Sequence, residues 1–298
     1  MLKTIVMTMR PPFLILTVTS LLLAVGWANY QAQDWSGAIL FLISIGAIAA
    51  HISVNMLNEY EDFHSGLDDL TDRTPFSGGS GGLQQNPAAE NWVGTIAYVL
   101  IGVVASIGVF FIYIRGWDIL PIGLLGLIIM LSYTSWITKH PWLCLLSSGL
   151  AFGPLMVLGS YFVLTGKFDF VLFLLSIVPF LLVNNLLLLN QIPDEQADKK
   201  VGRFNFVHLV GIEKTLTFYK LNGIVALLLA LGLILSGNLP FSSIIVMLSI
   251  LIFVPLWLSL QYSNQQINNL SRGLGLSVAF TLVTPLLLAS GLFIEPLI

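Results

Sequence analysis

The sequence is poor in charge. Asp, Glu, Lys and Arg make up 9% of its 298 residues, where a soluble globular domain carries about 25%. Lys plus Arg is 12 and Asp plus Glu is 15, for a net charge of −3. No basic face is available, so no nucleic-acid partner is expected. A lone cysteine, Cys144, cannot close an intrachain disulfide, and no Cys/His spacing proposes zinc. Set in an apolar run, its thiol is expected to be buried and inert. What is abundant is apolar: 56% of residues are hydrophobic and the mean hydropathy is +0.91. That excludes a disordered chain and an ordinary soluble domain.

A membrane span needs about 20 mostly apolar residues. Nine stretches qualify: 12–30, 37–57, 92–114, 118–137, 142–164, 169–190, 216–236, 240–260 and 273–294. Continuous runs of this length predict an all-α integral membrane protein, nine transmembrane helices in a single bundle over 1–298, rather than a β-barrel of short alternating strands. The first run follows Lys3 and Arg10 like a signal peptide, but Arg10-Pro11-Pro12 leads into a stretch longer than an ordinary signal core, so it is expected to be a retained span. With the N-terminus cytoplasmic, Lys3, Arg10, Arg73, Lys139, Lys199, Lys200, Arg203, Lys214, Lys220 and Arg272 all fall on the inner side, and only Arg115 and Lys167 fall outside. That positive-inside bias sets the expected orientation.

Two polar loops remain, about 58–91 and 190–215, both expected on the cytosolic side. Among the acidic residues they hold are Glu59, Glu61, Asp62, Asp68, Asp69, Asp72, Asp194, Glu195 and Asp198, nine of the fifteen in the chain. Acidic loops are often only solvated surface. Here a pattern repeats: Asn58-x-x-x-Asp62 recurs as Asn190-x-x-x-Asp194, 132 positions later, which suggests duplicated four-helix halves with a ninth helix added. Asn190, Asp194 and Asp198 stand at i, i+4 and i+8, one stripe on a helix. Like charges so placed repel, and oxygen donors without His or Cys select a hard cation. Mg²⁺ fits, since it takes one or two carboxylates and completes its shell with water and substrate phosphate. Pro193, inside the stripe, is expected to kink or end the helix. Between the motifs, Arg73 and the glycine-rich stretch 74–82 lack the Walker A lysine but could offer N–H groups and a guanidinium to phosphate.

These residues resemble the UbiA superfamily of intramembrane prenyltransferases. Asn58-Glu59-Tyr60-Glu61-Asp62, with Gly66 and Asp68, is similar to its first Asp-rich motif. Residues 190–203, Asn190-Gln191-Ile192-Pro193-Asp194 through Asp198-Lys199-Lys200-Val201-Gly202-Arg203, are similar to its second. Arg10-Pro11, Tyr133-Thr134, Gly153-Pro154 and Gly159-Ser160-Tyr161 also look like family positions, the last two like the branch that prenylates 1,4-dihydroxy-2-naphthoate on the way to menaquinone. Glu59 stands where that family usually has Asp, and 74–82 departs from the branch's Gly-Pro loop.

The resemblance implies a UbiA-like fold and Mg²⁺-dependent transfer of a polyprenyl group from its diphosphate to an aromatic acceptor, with diphosphate released. Asn58, Asp62, Asp68, Asn190, Asp194 and Asp198 would hold the metal, with Arg10, Arg73, Lys139, Lys199 and Arg203 as candidate clamps on the diphosphate. Tyr133, and behind it Tyr60 and Trp136, would face the allylic cation; interface anchoring is the competing role for each. His64, His140 and His208 are given no role. The implied setting is a bacterial or archaeal cell membrane, with the site at the cytoplasmic face and the lipid bilayer as partner. Alternatives are another acceptor (4-hydroxybenzoate, a chlorin or haem, a glycerol-phosphate lipid), a cation-coupled transporter, or a non-catalytic scaffold. Transporter sites usually lie at the bilayer midplane, unlike acids gathered at one face.

Overall fold

A computed structural model describes residues 1–71, 73, 78–263 and 266–295. Asp72 and residues 74–77 of the first polar loop lie outside them. Among the described residues eight helices are long and apolar enough to cross a membrane: α1 (Leu2–Tyr30), α2 (Gly37–Ser65), α3 (Pro87–Arg115), α5 (Pro141–Thr165), α6 (Phe170–Lys200), α7 (Ile212–Leu235), α8 (Phe241–Ser259) and α9 (Leu270–Ile294). Each expected span has a counterpart. The fourth, α4, is a shorter apolar helix, Trp117–Ser132, about 24 Å long at 1.5 Å per residue. It was expected to reach residue 137. The chain instead turns at Tyr133, where Thr138 N–H donates to the Tyr133 carbonyl at 3.0 Å and the Thr138 hydroxyl donates to that of Thr134 at 2.7 Å.

Both acidic motifs are helical. α2 runs past residue 57 to Ser65 and is closed by Gly66 in the left-handed region, φ 72°, a conformation that glycine adopts without steric cost. α6 runs past residue 190 to Lys200 and continues through Pro179 and Pro193. Of the two outcomes expected at Pro193, a kink or an end, the end does not occur: one backbone bond is forfeited, yet the helix continues on both sides of it.

α1 is broken near its start. Arg10 has φ 50°, uncommon for a residue with a side chain, and a 3₁₀ turn follows over Pro11–Leu14. The Asn55 carboxamide donates to the Met9 carbonyl at 3.0 Å and holds the break against α2. α5 is interrupted by a π turn, Ala151–Leu155, that contains Pro154. There α5 meets α6 closely: a Cβ added to Gly153 would lie 2.6 Å from the Ser176 carbonyl oxygen, and Gly149 N–H donates to Asn184 Oδ1 at 2.8 Å. Small residues at such seams let membrane helices approach.

The largest core joins α1, α6, α7, α8 and α9 through Trp27, Leu175, Tyr219, Phe253, Phe280 and Leu288. A smaller one lies between α2 and α3 around Met56, Leu83 and Val93. α2 through α6 otherwise enclose a hollow.

Candidate functional site

The hollow is a cavity of about 630 Å³. One end is acidic and carboxamide-rich; Asn58, Asp62, Asp68, Asn190, Asp194 and Asp198 all line it, together with Arg10 and Arg203. The rest is mainly apolar wall, from Met130 and Leu155 to Ile43, Phe111 and Ile119. Since Ile43 and Asp62 stand on the same helix, the cavity follows α2 for about 28 Å. The N-terminal segment lies at the acidic end, where Arg10 reaches Glu59 and Asn86 donates to Thr4 at 3.4 Å.

The two motif helices therefore bring their stripes together. Asp62 is buried and accepts from Arg203. Asp198, also buried, accepts from Asn205 Nδ2 at 2.8 Å and lies 3.9 Å from Arg203. Arg203 thus sits between a carboxylate of each motif. Burial disfavours its charge, but Asp62 and Asp198 more than offset this and hold its pKa above the ordinary value. Asp68, on the short helix Leu67–Leu70, accepts from Gln84 Nε2 at 2.8 Å. Burial pushes its carboxyl above the usual carboxylate range, and the Gln84 bond only partly opposes that.

Asn190 Oδ1 and Asp194 Oδ1 are buried without a hydrogen-bond partner among the described residues. Leaving such oxygens unpaired costs roughly 1–3 kcal/mol each, so the arrangement suits a bound electrophile. The donors are all oxygens, as a hard cation prefers. No three His, Cys, Asp or Glu side chains among the described residues cluster tightly enough to cage an ion by themselves. The set fits a metal whose shell is completed by water and phosphate, as Mg²⁺ binds.

The proposed clamps divide. Arg10 and Arg203 line the cavity. Arg73 stands at its rim, where its Nη2 donates to the Asp68 carbonyl at 3.5 Å and it packs against Gly81. Lys139 and Lys199 are exposed and do not line it. Tyr133 lines it, its phenol oxygen accepting from Ser148 at 3.2 Å. Tyr60 does not: its ring packs on Gly94 and His64. Trp136 is exposed and pairs with His140 at 4.5 Å. His64 bonds Glu90 at 2.8 Å, and His208 completes a capping box with Asn205.

Glu59 is a residue whose part the sequence pattern does not reveal. It is fully buried, accepts from Arg10 Nε at 2.8 Å and Nη2 at 2.5 Å, and accepts from Ser80 N–H and Oγ, both at 2.7 Å. The longer carboxylate turns away from the cavity and ties together α1, α2 and the glycine-rich loop. Its partners are 49 and 21 positions away, beyond any local pattern.

An integral, multi-pass helical membrane protein with two acidic motifs converging at one end of a long, mainly apolar cavity is thereby defined. The chain belongs to the UbiA prenyltransferase family, which it matches over residues 14–281. It is 31% identical over 204 residues to 1,4-dihydroxy-2-naphthoate octaprenyltransferase of Bacillus subtilis (strain 168), an alignment that takes in 67% of this chain and 64% of that protein, just under two thirds of its length. In fold it is similar to the apo structure of a UbiA homolog from Aeropyrum pernix K1 (TM-score 0.68, 15% identity, 94% of this chain and 98% of that one). It is also similar to a UbiA homolog from Archaeoglobus fulgidus bound to GPP and Mg²⁺ (TM-score 0.65, 14% identity, 96% and 99%).

Proposed function

We propose that this protein transfers a polyprenyl group from a polyprenyl diphosphate to an aromatic acceptor, 1,4-dihydroxy-2-naphthoate in menaquinone biosynthesis, and releases diphosphate. The observation that carries this reading is the convergence of two acidic stripes at one end of a cavity whose remaining wall is mainly apolar. A diphosphate suits the first environment and an isoprenoid chain the second. The likeness to the B. subtilis enzyme supports the choice of acceptor.

Asn58, Asp62, Asp68, Asn190, Asp194 and Asp198 would hold Mg²⁺, which neutralises a bound diphosphate and assists its departure. Arg10 and Arg203 bind phosphate oxygens, Arg203 by exchanging its Asp62 contact for the phosphate, and Arg73 reaches in from the rim. Lys139 and Lys199 steer the anion from outside. As the C1–O bond breaks, the face of Tyr133 stabilises the allylic cation. The apolar wall keeps water from capturing it. A C–C bond to the carboxylate-bearing carbon of the acceptor ring then forms, and that carbon loses its carboxylate as CO₂, the electron pair of the broken C–C bond restoring the aromatic ring. We place the whole chain, 1–298, in a single domain, with its site at the cytoplasmic face of a bacterial or archaeal cell membrane, on the strength of the positive-inside count.

The test is purified protein in nanodiscs with one prenyl diphosphate, Mg²⁺ and a panel of acceptors, read by product mass and diphosphate release. The expected product is the prenylated naphthalene. Prenylation of a different acceptor would move the protein within its family, and no diphosphate release with any acceptor would overturn the reading in favour of a transporter.

A further inference from the structure

Below Asn58 and Asp62, α2 carries two more polar side chains to the cavity, Asn55, whose carboxamide is taken up by the Met9 carbonyl, and His51. His51, Asn55, Asn58 and Asp62 all line it, at spacings of four, three and four that keep them on one helical face. His51 is the deepest of them, and its lining neighbours on α2 are Gly46, Ala47, Ala50 and Val54. It is held rather than free. Its Nδ1 lies 2.9 Å from Thr17 Oγ1 on α1, and its ring meets Phe152, on the π turn of α5, edge to face at 4.8 Å.

The tautomer follows from hydrogen-bond satisfaction. Thr17 is fully buried, and its hydroxyl has no partner among the described residues besides His51. Were Nδ1–H the donor, the Thr17 proton would be left unpaired in an apolar interior, at roughly 1–3 kcal/mol. So the Thr17 O–H donates to Nδ1, and the proton of the neutral ring resides on Nε2. That N–H has no protein acceptor among the described residues. A charged imidazolium this deep among apolar groups is disfavoured, so His51 presents a neutral donor with a fixed direction.

Resting on the prenyltransferase reading, we infer that His51 is the acceptor-binding residue: its Nε2–H donates to an oxygen of the aromatic acceptor and sets the ring's distance from the departing diphosphate. Asp62 and His51 are about 16 Å apart along the helix, room for a diphosphate followed by an aromatic ring. An isoprenoid tail has no oxygen for this donor. The Thr17–His51–Phe152 contact fixes the geometry, with Thr17 as a positioning residue.

The experiment uses the full-length protein in nanodiscs, with the acceptor that gives product in the panel. His51→Phe is expected to raise the acceptor KM about 10- to 100-fold, the worth of one hydrogen bond in a dry site, with the KM for prenyl diphosphate unchanged. His51→Gln, which keeps an N–H donor, is expected to recover much of the loss, and Thr17→Val to give a smaller rise. Binding of a non-reactive prenyl thiodiphosphate with Mg²⁺ checks that each variant is folded at the acidic end. An unchanged acceptor KM in His51→Phe, equal defects in His51→Phe and His51→Gln, or matching losses for both substrates would overturn the inference. A wild-type protein that prenylates no aromatic acceptor would instead overturn the functional reading on which it rests.

Discussion

The two sides of the bundle are built to different rules. α1 and α6 to α9 pack as a solid, whereas α2 to α5 curve around a void. The contrast is greatest between single helices: in the most apolar window of α6, 61% of residues are buried, against 11% in α3, while α2 and α8 are alike at 28%. Glycines show both kinds of surroundings. On the solid side a Cβ at Gly291 of α9 would lie 2.7 Å from the Ser243 backbone nitrogen of α8. On the hollow side, Gly108, Gly123 and Gly126 line the cavity and a Cβ there would meet nothing. Between lipid-soluble helices there is little hydrophobic drive to associate, so close approach and dispersion hold them. Close approach occurs on both sides, at Gly94 of α3 against Tyr60 of α2 as at Gly291 against Ser243, but the cavity opens on the side of α2 to α5, and each side lends one acidic stripe, α6 from the solid side and α2 from the hollow one.

The largest effect is expected where the halves face each other. Asp62→Asn and Asp194→Asn should each reduce diphosphate release about 10²- to 10³-fold while thermal unfolding in detergent stays close to wild type. Wild-type turnover in both variants would remove the acidic stripes from the chemistry. Next comes Glu59→Ala, which leaves the Arg10 and Ser80 donors without their buried acceptor. A loss of about 2–3 kcal/mol in stability is expected, with a raised KM for prenyl diphosphate because Arg10 is no longer held toward the cavity. A melting temperature and KM both unmoved would show that Glu59 does not organise the acidic end.

The fold and the two acidic motifs that meet at the cavity were legible in the sequence because both rest on local regularities. Long apolar runs leave the backbone no alternative to helix in lipid. The repeated Asn-x-x-x-Asp, read as helical stripes with Asp198 one turn further on, picks out five side chains that line one cavity, and the family resemblance adds Asp68 to them. What was not legible depends on partners far apart in the chain. Glu59 looks like a conservative variant of a motif position until its contacts to Arg10 and Ser80 are seen. His51 sits in an ordinary span and gains meaning from Thr17, 34 positions away, and from the cavity itself. Lys139 and Lys199 have the right charge on the right side, but their helix positions turn them outward. Pro193 interrupts a hydrogen-bond ladder that the surrounding packing nonetheless carries through.

The two kinds of glycine sharpen the contrast at smaller energies. Gly291→Ala forces a methyl group against the α8 backbone and should cost about 1–3 kcal/mol, measured as a lowered unfolding temperature in detergent. Gly126→Ala places the same methyl in open space, relieves the helix-forming cost of glycine, and should change stability by less than about 1 kcal/mol, toward stabilisation. Equal destabilisation by both would mean that α4 packs as tightly as the solid half. A larger side chain separates volume from stability. Gly126→Leu is expected to fold normally and to use a short prenyl diphosphate at close to the wild-type rate, yet to lose turnover with a long one, because the added side chain takes up cavity that only the long tail requires. Loss with both donors would place Gly126 beside the reacting carbon instead of along the tail.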